Sequence, residues 1–302
     1  MLGPYALGMV VLETPAGQHD AWRALAPLVG DGGANSRARL HVADSKRLYD
    51  RSARGGQRLE RTARAFAAAA GMPPWRLDPA APPHWRAELN GAPLWASSAE
   101  LDDDRAALAD ALARAGVRVL HAQALLVSEG DLNRAFATHG NKARAVWSCV
   151  AQELRGLWER HGEREPEVVL DRQGGRTRYA PLLAAQFPEA EIEIGLERAG
   201  RCEYRLLQAD SKTLFATTGA RSMRIAIEPR AEQASFEVAL ASCLAKYARE
   251  ACMHAFNAYF ARLDPALRPT AGYVQDARRW LLDARECLSR AGLSAEELVR
   301  SR

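Results

Sequence analysis

Apolar positions along the chain alternate between short runs with the character of strands and stripes with helical spacing. Residues 6–13 (ALGMVVLE), apolar up to the closing Glu13, predict a buried strand, and residues 117–127 predict a second. Between them, residues 57–70 place Leu59, Ala63, Phe66 and Ala70 on one helical face. Ser97 followed by Glu100 has the spacing of a capping box and predicts a helix running to Ala115; Asp102, Asp103 and Asp104 then read as first-turn acids that offset the helix dipole. Residues 131–160 carry helical patterning interrupted around Gly140, and residues 167–170 predict a short strand that ends at Asp171.

Beyond the Gly174-Gly175 turn, residues 177–187 predict a helix. Residues 191–196 and 202–207 predict a hairpin about Gly200, and residues 223–227 one more strand. From Phe236 onward the pattern is helical. Early strands, central alternation and terminal helices predict a mixed α/β sheet with helices on both faces. The six prolines of residues 71–93, with Trp75, Trp85 and the Asn90-Gly91 pair, mark an irregular or hairpin insertion. No compositional linker divides the chain.

The 302 residues, 48% of them apolar, are enough to bury one large core or a core with an appendage. Five cysteines (Cys149, Cys202, Cys243, Cys252, Cys287) are odd in number, widely spaced and never CxxC. That pattern supports neither a disulfide framework nor a zinc site and points to a reducing cytosol. No apolar run reaches the roughly 20 residues of a membrane span, and the N-terminal residues lack the pattern of a secretory signal. A cytoplasmic protein with no membrane partner is therefore expected. The net charge of +4 is compatible with a polyanionic partner without requiring one. Arginine dominates the basic residues; the few lysines are Lys46, Lys142, Lys212 and Lys246, two of them in the strings ADSKRLY (43–49) and ADSKTLF (209–215). Seven residues with unlike flanks are too few to mark a duplication.

Chemistry concentrates at two carboxylates. Asp171 ends a strand and precedes a Gly-Gly turn, a position where side chains often meet ligands in α/β folds. Glu232 stands just before a helix in which Ala239, Ala241, Ser242 and Ala245 leave one flank with almost no bulk, fit for close packing on a sheet. Either residue alone reads equally well as a turn or first-turn acid. Together they suggest phosphodiester hydrolysis by two divalent cations about 4 Å apart. Such a site normally draws on about three or four carboxylates, and Glu13, Asp44 and Asp210 are not obvious additions.

The segment from Glu232 through ALASCLAKYAR (239–249) resembles the last acidic motif of ribonuclease HII, the type 2 ribonuclease H. ADSKRLY resembles that family's DSK segment, GDLNRAFATHGNKARAVWSCVAQEL (130–154) its Asn-containing helix, VVLD (168–171) its third acidic strand, and PTAGYVQDARRWL (269–281) its C-terminal Gly-Tyr segment. The order of these elements is also the family's. The departures are a longer hairpin region at 189–228, Glu in place of Asp at 232, and Gln275-Asp276 after Gly272-Tyr273-Val274.

The resemblance implies a ribonuclease H-like fold with a five-stranded mixed sheet. It implies a catalytic domain over residues 1–261, interrupted by the 71–93 insertion, and a helical C-terminal extension over 262–302. Asp171 and Glu232 match the third and fourth acidic ligands of Mg²⁺ or Mn²⁺. Tyr273 matches the tyrosine that stacks on a deoxyribose beside the ribonucleotide, while Ser45, Lys46 and Lys246 match positions that favour the phosphate backbone. Gly3 belongs to the glycine motif whose backbone reads the 2′-hydroxyl. Gly3-Pro4 and Gly8-Met9-Val10-Val11 fit the second half of the first motif, so its Asp-Glu pair is expected upstream of residue 1. The implied activity is cleavage of the RNA strand of RNA/DNA hybrids, or of DNA at embedded ribonucleotides, by a monomer. The alternative is a non-catalytic hybrid-binding protein that keeps the scaffold without its first two ligands.

Overall fold

The computed structural model describes residues 1–33, 36–77, 88, 89, 91–209, 211, 212 and 217–300. Residues 78–87 and Asn90 of the Pro-rich insertion, Trp85 among them, together with Asp210 and residues 213–215 of the second lysine string, lie outside the described residues. The protein is mixed α/β, 49% helix and 20% strand. It folds as two compact units, one made of residues 1–142 and 239–302 and the other of residues 143–238.

The first unit is built on β1 (Tyr5–Glu13), which pairs antiparallel with β5 (Arg118–Val127) in register from Tyr5 opposite Val127, broken by a bulge at Val11/Leu12. The minor strands β2 (Val29–Gly30) and β3 (Leu40–His41) pair with each other, and β4 (Trp75–Leu77) runs parallel to β5. Helices α1 (Ala21–Ala24) and α2 (Ser45–Leu48) are short. Helix α3 (Ala53–Ala69) starts earlier than predicted because the Ser52 side chain caps it at Gly55 N, and it buries Leu59, Ala63 and Phe66 as expected. Helix α4 (Ser98–Ala115) has the predicted capping box in both directions, and Gly116 ends it in the left-handed conformation. Asp104, however, is more than a first-turn acid. It is fully buried and ion-paired to Arg39 Nε at 2.5 Å and Arg61 Nε at 2.7 Å, and so ties α4 to α3 and the β3 edge.

Helix α5 (Glu129–His139) ends at Gly140, and α6 (Lys142–His161) follows. The second unit then adds β6 (Glu167–Asp171), α7 (Ala180–Gln186), β7 (Glu191–Glu197), β8 (Cys202–Gln208), β9 (Ser211–Lys212), β10 (Thr217–Thr218) and β11 (Arg221–Glu228). Its main sheet has the order β6-β11-β8-β7, with β6 and β11 parallel and the rest antiparallel. Trp158 of α6 meets Phe187 with ring centroids 5.7 Å apart, and Trp147 meets Tyr179 at 5.4 Å, so aromatic rings fill the space over this sheet. Helix α7 begins three residues later than predicted: the Tyr179 N–H is taken by the Tyr204 hydroxyl at 3.0 Å, and a proline lies in the first helical turn.

Helix α8 (Phe236–Leu263) is rich in good helix formers and contains neither Gly nor Pro. In the first unit it covers β1. A methyl group built on Gly8 would lie 1.9 Å from the Ala241 carbonyl oxygen, so strand and helix backbones touch directly where the sequence has Gly against Ala. The low bulk of Ala239, Ala241, Ser242 and Ala245 thus serves close packing, as predicted. Further along, Phe256, Phe260 and Trp280 form an aromatic cluster with centroid distances of 4.8 to 4.9 Å. That cluster joins α8 to α9 (Val274–Asp283), which is followed by α10 (Arg285–Ala291) and α11 (Ala295–Leu298).

The described strands form sheets of three, four, two and two, where the resemblance implied one sheet of five. The hydrogen-bonding register accounts for this: β6, the strand that ends at Asp171, pairs with β11 along its whole length. All five cysteines are free and buried. Among the described residues no helix is long and apolar enough to cross a membrane.

Candidate functional site

The two predicted carboxylates lie on neighbouring segments of the second unit. Asp171 is the last residue of β6, exposed and opposite Glu228 of β11 in the parallel register. After β11 the chain turns at Arg230, in the left-handed region (φ 58°), and enters a single 3-10 turn, Ala231–Gln233. The Ala231 N–H donates to Asp171 Oδ1 at 3.4 Å, a weak bond that holds this turn against the strand end. Glu232, half-buried, is the next residue. Parallel pairing and the tight turn explain why residues 61 positions apart in sequence come together here.

A pair of Mg²⁺ or Mn²⁺ ions demands more oxygen donors than this pair offers. Among the described residues no group of three or more His, Cys, Asp or Glu side chains is placed to hold a metal ion. Asp171 and Glu232 therefore do not make up a two-cation centre by themselves. Glu228, the nearest carboxylate in register, accepts from Arg201 Nη1 at 2.7 Å.

The predicted substrate-side residues gather in the first unit, along one face of α8. Ser242, Lys246, Arg249, Glu250 and Met253 recur at spacings of three and four and so line a single stripe. At its start, Ser242 Oγ donates to the buried Ser45 Oγ at 2.8 Å, while Ser45 N donates to Ser242 Oγ at 3.4 Å. Lys246 Nζ is 2.5 Å from Glu250 Oε1 and donates to the Tyr273 hydroxyl at 3.3 Å. Its ammonium lies 4.5 Å from the centroid of Tyr49, whose hydroxyl donates to Glu250 Oε2 at 3.0 Å. Burial, and then the charge of Glu250, push the Tyr49 phenol above its ordinary pKa, so it remains a neutral donor.

Tyr273, 39% exposed, collects cations: the Arg249 guanidinium lies 4.7 Å from its ring centroid and that of Arg51 5.5 Å. Arg249 also donates to the Ala271 carbonyl at 3.1 Å. The loop carrying Tyr273 is fixed from both sides. Asn257 of α8 exchanges two 2.9 Å hydrogen bonds with the Thr270 backbone, and Asp276 accepts from Thr270 Oγ1 and Ala271 N at 2.7 Å each. Asp276, a departure from the family's pattern, thus has a structural task.

Gly3 joins the same stripe. It is buried with φ 85°, and a methyl group there would lie 2.6 Å from Met253 Sδ; Gly272 (φ 75°) leaves equally little room against the Leu2 carbonyl, and Leu2 N donates to Gly272 O at 3.0 Å. Both positions require glycine, for backbone conformation and for space. The C-terminal residues support this corner: Val299 bridges to Leu2 and Arg300 N donates to Met1 O at 2.9 Å.

Gly3, Ser45, Lys246 and Tyr273 are therefore brought together, whereas Lys46 is an exposed side chain on α2 beside Ser45. Sequence reasoning missed Tyr49, Arg51, Arg249 and Glu250. The helical spacing of Lys246, Arg249 and Glu250 carried the signal for two of them. Three cations (Lys246, Arg249, Arg51) against one carboxylate (Glu250) leave the cluster positive, and an exposed aromatic ring among them provides a surface for a sugar or base next to a phosphate. No family model matches the chain, and no curated protein or solved structure matches it, so the likeness to ribonuclease HII rests on the motifs themselves.

Proposed function

We propose that the protein is a ribonuclease H-like protein of the ribonuclease HII type that acts on RNA/DNA hybrids or on ribonucleotides embedded in duplex DNA, hydrolysing the RNA strand with Mg²⁺ or Mn²⁺. The observation that carries this reading is the convergence of Gly3, Ser45, Lys246 and Tyr273. Four segments spread over 270 residues, each matching a different substrate-side motif, meet on one helix face. Chance matches to unrelated motifs have no reason to meet.

In this reading Lys246 and Arg249 hold the phosphate backbone without reading bases, and Tyr273 stacks on the sugar beside the ribonucleotide. Gly3, itself buried against Met253, shapes the corner that would receive the 2′-hydroxyl, the one group that distinguishes RNA from DNA at a given position. Glu250 orients Lys246 and reduces the positive charge, which favours release of the product. Asp171 and Glu232 are the carboxylates through which the chain would take part in hydrolysis.

A second reading, a hybrid-binding protein without nuclease activity, is favoured because among the described residues no third His, Cys, Asp or Glu side chain joins Asp171 and Glu232 in a metal-holding group. One experiment separates the two. A duplex with a single ribonucleotide and a continuous hybrid are incubated with Mg²⁺ or Mn²⁺ and either the 302-residue chain or a form extended through the reading frame upstream of Met1. Cleavage that leaves a 3′-hydroxyl and falls at least about a hundredfold in Asp171→Asn, beyond the loss typical of groups that only support a metal ligand, establishes the enzyme. Saturable hybrid binding with no cleavage by either form establishes the binder.

A further inference from the structure

Helix α9 carries leucine on its outer side. Its inward face buries Ala277 and Trp280, yet Leu281 is only half-buried, and Leu282, at 58%, is the most exposed large apolar side chain among the described residues. Together with α10 and the start of α11, these leucines enclose an open groove of about 650 Å³ whose floor includes Leu281, Leu282, Leu288 and Leu293, flanked by Arg278 and Arg285. A groove of that size is in the range of recognition sites for small molecules and peptide side chains.

The charges at this groove are unbalanced. Arg279, on the same helix, is bonded to Asp276 and Asp283, and Arg268 pairs with Asp283. The side chains of Arg278 and Arg285 make no ion pair or hydrogen bond among the described residues. Asp276 and Asp283 are thus committed to Arg268 and Arg279, and the guanidiniums of Arg278 and Arg285 are left on the rim of an apolar floor.

We infer that this groove docks a short amphipathic helix of a partner protein, one that places two leucine-like side chains a turn apart on the floor and carboxylates against Arg278 and Arg285. Charge complementarity sets the choice. The planar guanidinium fork suits bidentate pairing with carboxylates, and the i, i+4 pattern of a helical peptide suits a leucine-lined trough. A nucleic-acid strand fits poorly, because its phosphates would be desolvated against the leucine floor. The groove is separate from the Lys246–Tyr273 cluster in residues and in chemistry, so this inference stands apart from the proposed reaction.

The test uses the intact chain and a dye-labelled probe peptide of about three helical turns, with two leucines four residues apart flanked by glutamates. Fluorescence anisotropy is expected to show saturable binding that weakens with salt. It should fall about tenfold or more in Leu282→Ser and in the double variant Arg278→Glu/Arg285→Glu, a loss expected of interface anchors. A probe with lysines in place of the glutamates should bind the double variant better than the unaltered chain, a gain that damaged folding cannot produce. Three results would overturn the inference: no saturable binding of the acidic probe, equal binding of the acidic and basic probes, or self-association of the chain that Leu282→Ser abolishes, which would make a second copy the occupant.

Discussion

Replacing Gly8 by alanine should lower the thermal midpoint of the protein by roughly 10 °C. The new methyl group would lie 1.9 Å from the Ala241 carbonyl oxygen and 2.6 Å from its carbon, where real Cβ atoms essentially never come below 3.0 Å. Neither neighbour is the end of a flexible side chain. Relief requires β1 and α8 to separate by about 1 Å, which loosens the packing along Ala239, Leu240, Cys243 and Leu244, all completely buried. Overpacking by a methyl group in a rigid core costs about 1–3 kcal/mol, and a backbone-to-backbone clash belongs at or above the top of that range. For a protein of this size each kcal/mol moves the midpoint by about 2–4 °C. Differential scanning calorimetry of Gly8→Ala checks this, and an unchanged midpoint would mean that strand and helix do not approach so closely.

Glu60→Ala should be similarly damaging, with a loss of about 3–5 kcal/mol in denaturant unfolding, because it leaves several buried donors without a partner. The Glu60 carboxylate is fully buried in α3 and organises its surroundings. It accepts from Leu94 N (2.8 Å), Trp95 N (2.7 Å), Ala96 N (2.8 Å), the Tyr247 hydroxyl (2.8 Å) and Arg64 Nε (3.0 Å). Burial works against its charge, but the backbone N–H groups of Ala96, Leu94 and Trp95 and the Tyr247 hydroxyl outweigh burial and hold the carboxyl below its usual value of 4.5. The sign for pH follows directly. A carboxyl with a depressed folded-state pKa contributes stability that is present above its unfolded value and lost as pH falls through the folded one. Stability of the native chain should therefore decline below about pH 4.5, and Glu60→Ala should flatten that part of the curve. A variant with the same acid dependence as the native chain would contradict this assignment.

The element pattern was largely legible because it rests on local physics. Capping at Ser97, the apolar runs of β1 and β5, the hairpin at Gly200 and the small-residue flank of α8 all follow from spacing and side-chain size. Long-range relations were less legible. Asp104 read as a dipole-offsetting acid, since nothing in a DDD run announces that its third member meets Arg39 and Arg61. The division into two units left no trace in composition because one boundary lies at the start of α6 and the other inside α8, where helix formers run without a break. The sheet arrangement depended on β6 finding β11, which periodicity does not encode.

At the candidate site, motif order identified Gly3, Ser45, Lys246 and Tyr273, and the structure adds what holds them. Arg249, Arg51, Tyr49 and Glu250 acquire their meaning only when α2, α8 and the 270–273 loop are brought together. Asp171 and Glu232 could be found from the sequence because a strand end and a helix entrance are local features. The hydrogen bond from Ala231 to Asp171 is the added information.

The most direct test of the account is equilibrium binding of the chain, without divalent cations, to three labelled duplexes of one sequence: an RNA/DNA hybrid, DNA with a single ribonucleotide, and DNA alone. The account predicts tighter binding to at least one ribonucleotide-containing duplex than to DNA, and losses of about tenfold or more in Tyr273→Ala and Lys246→Ala, as removal of a stacking ring or a backbone-binding cation entails. Equal affinity for all three duplexes, or ribonucleotide-dependent binding untouched by both substitutions, would contradict it.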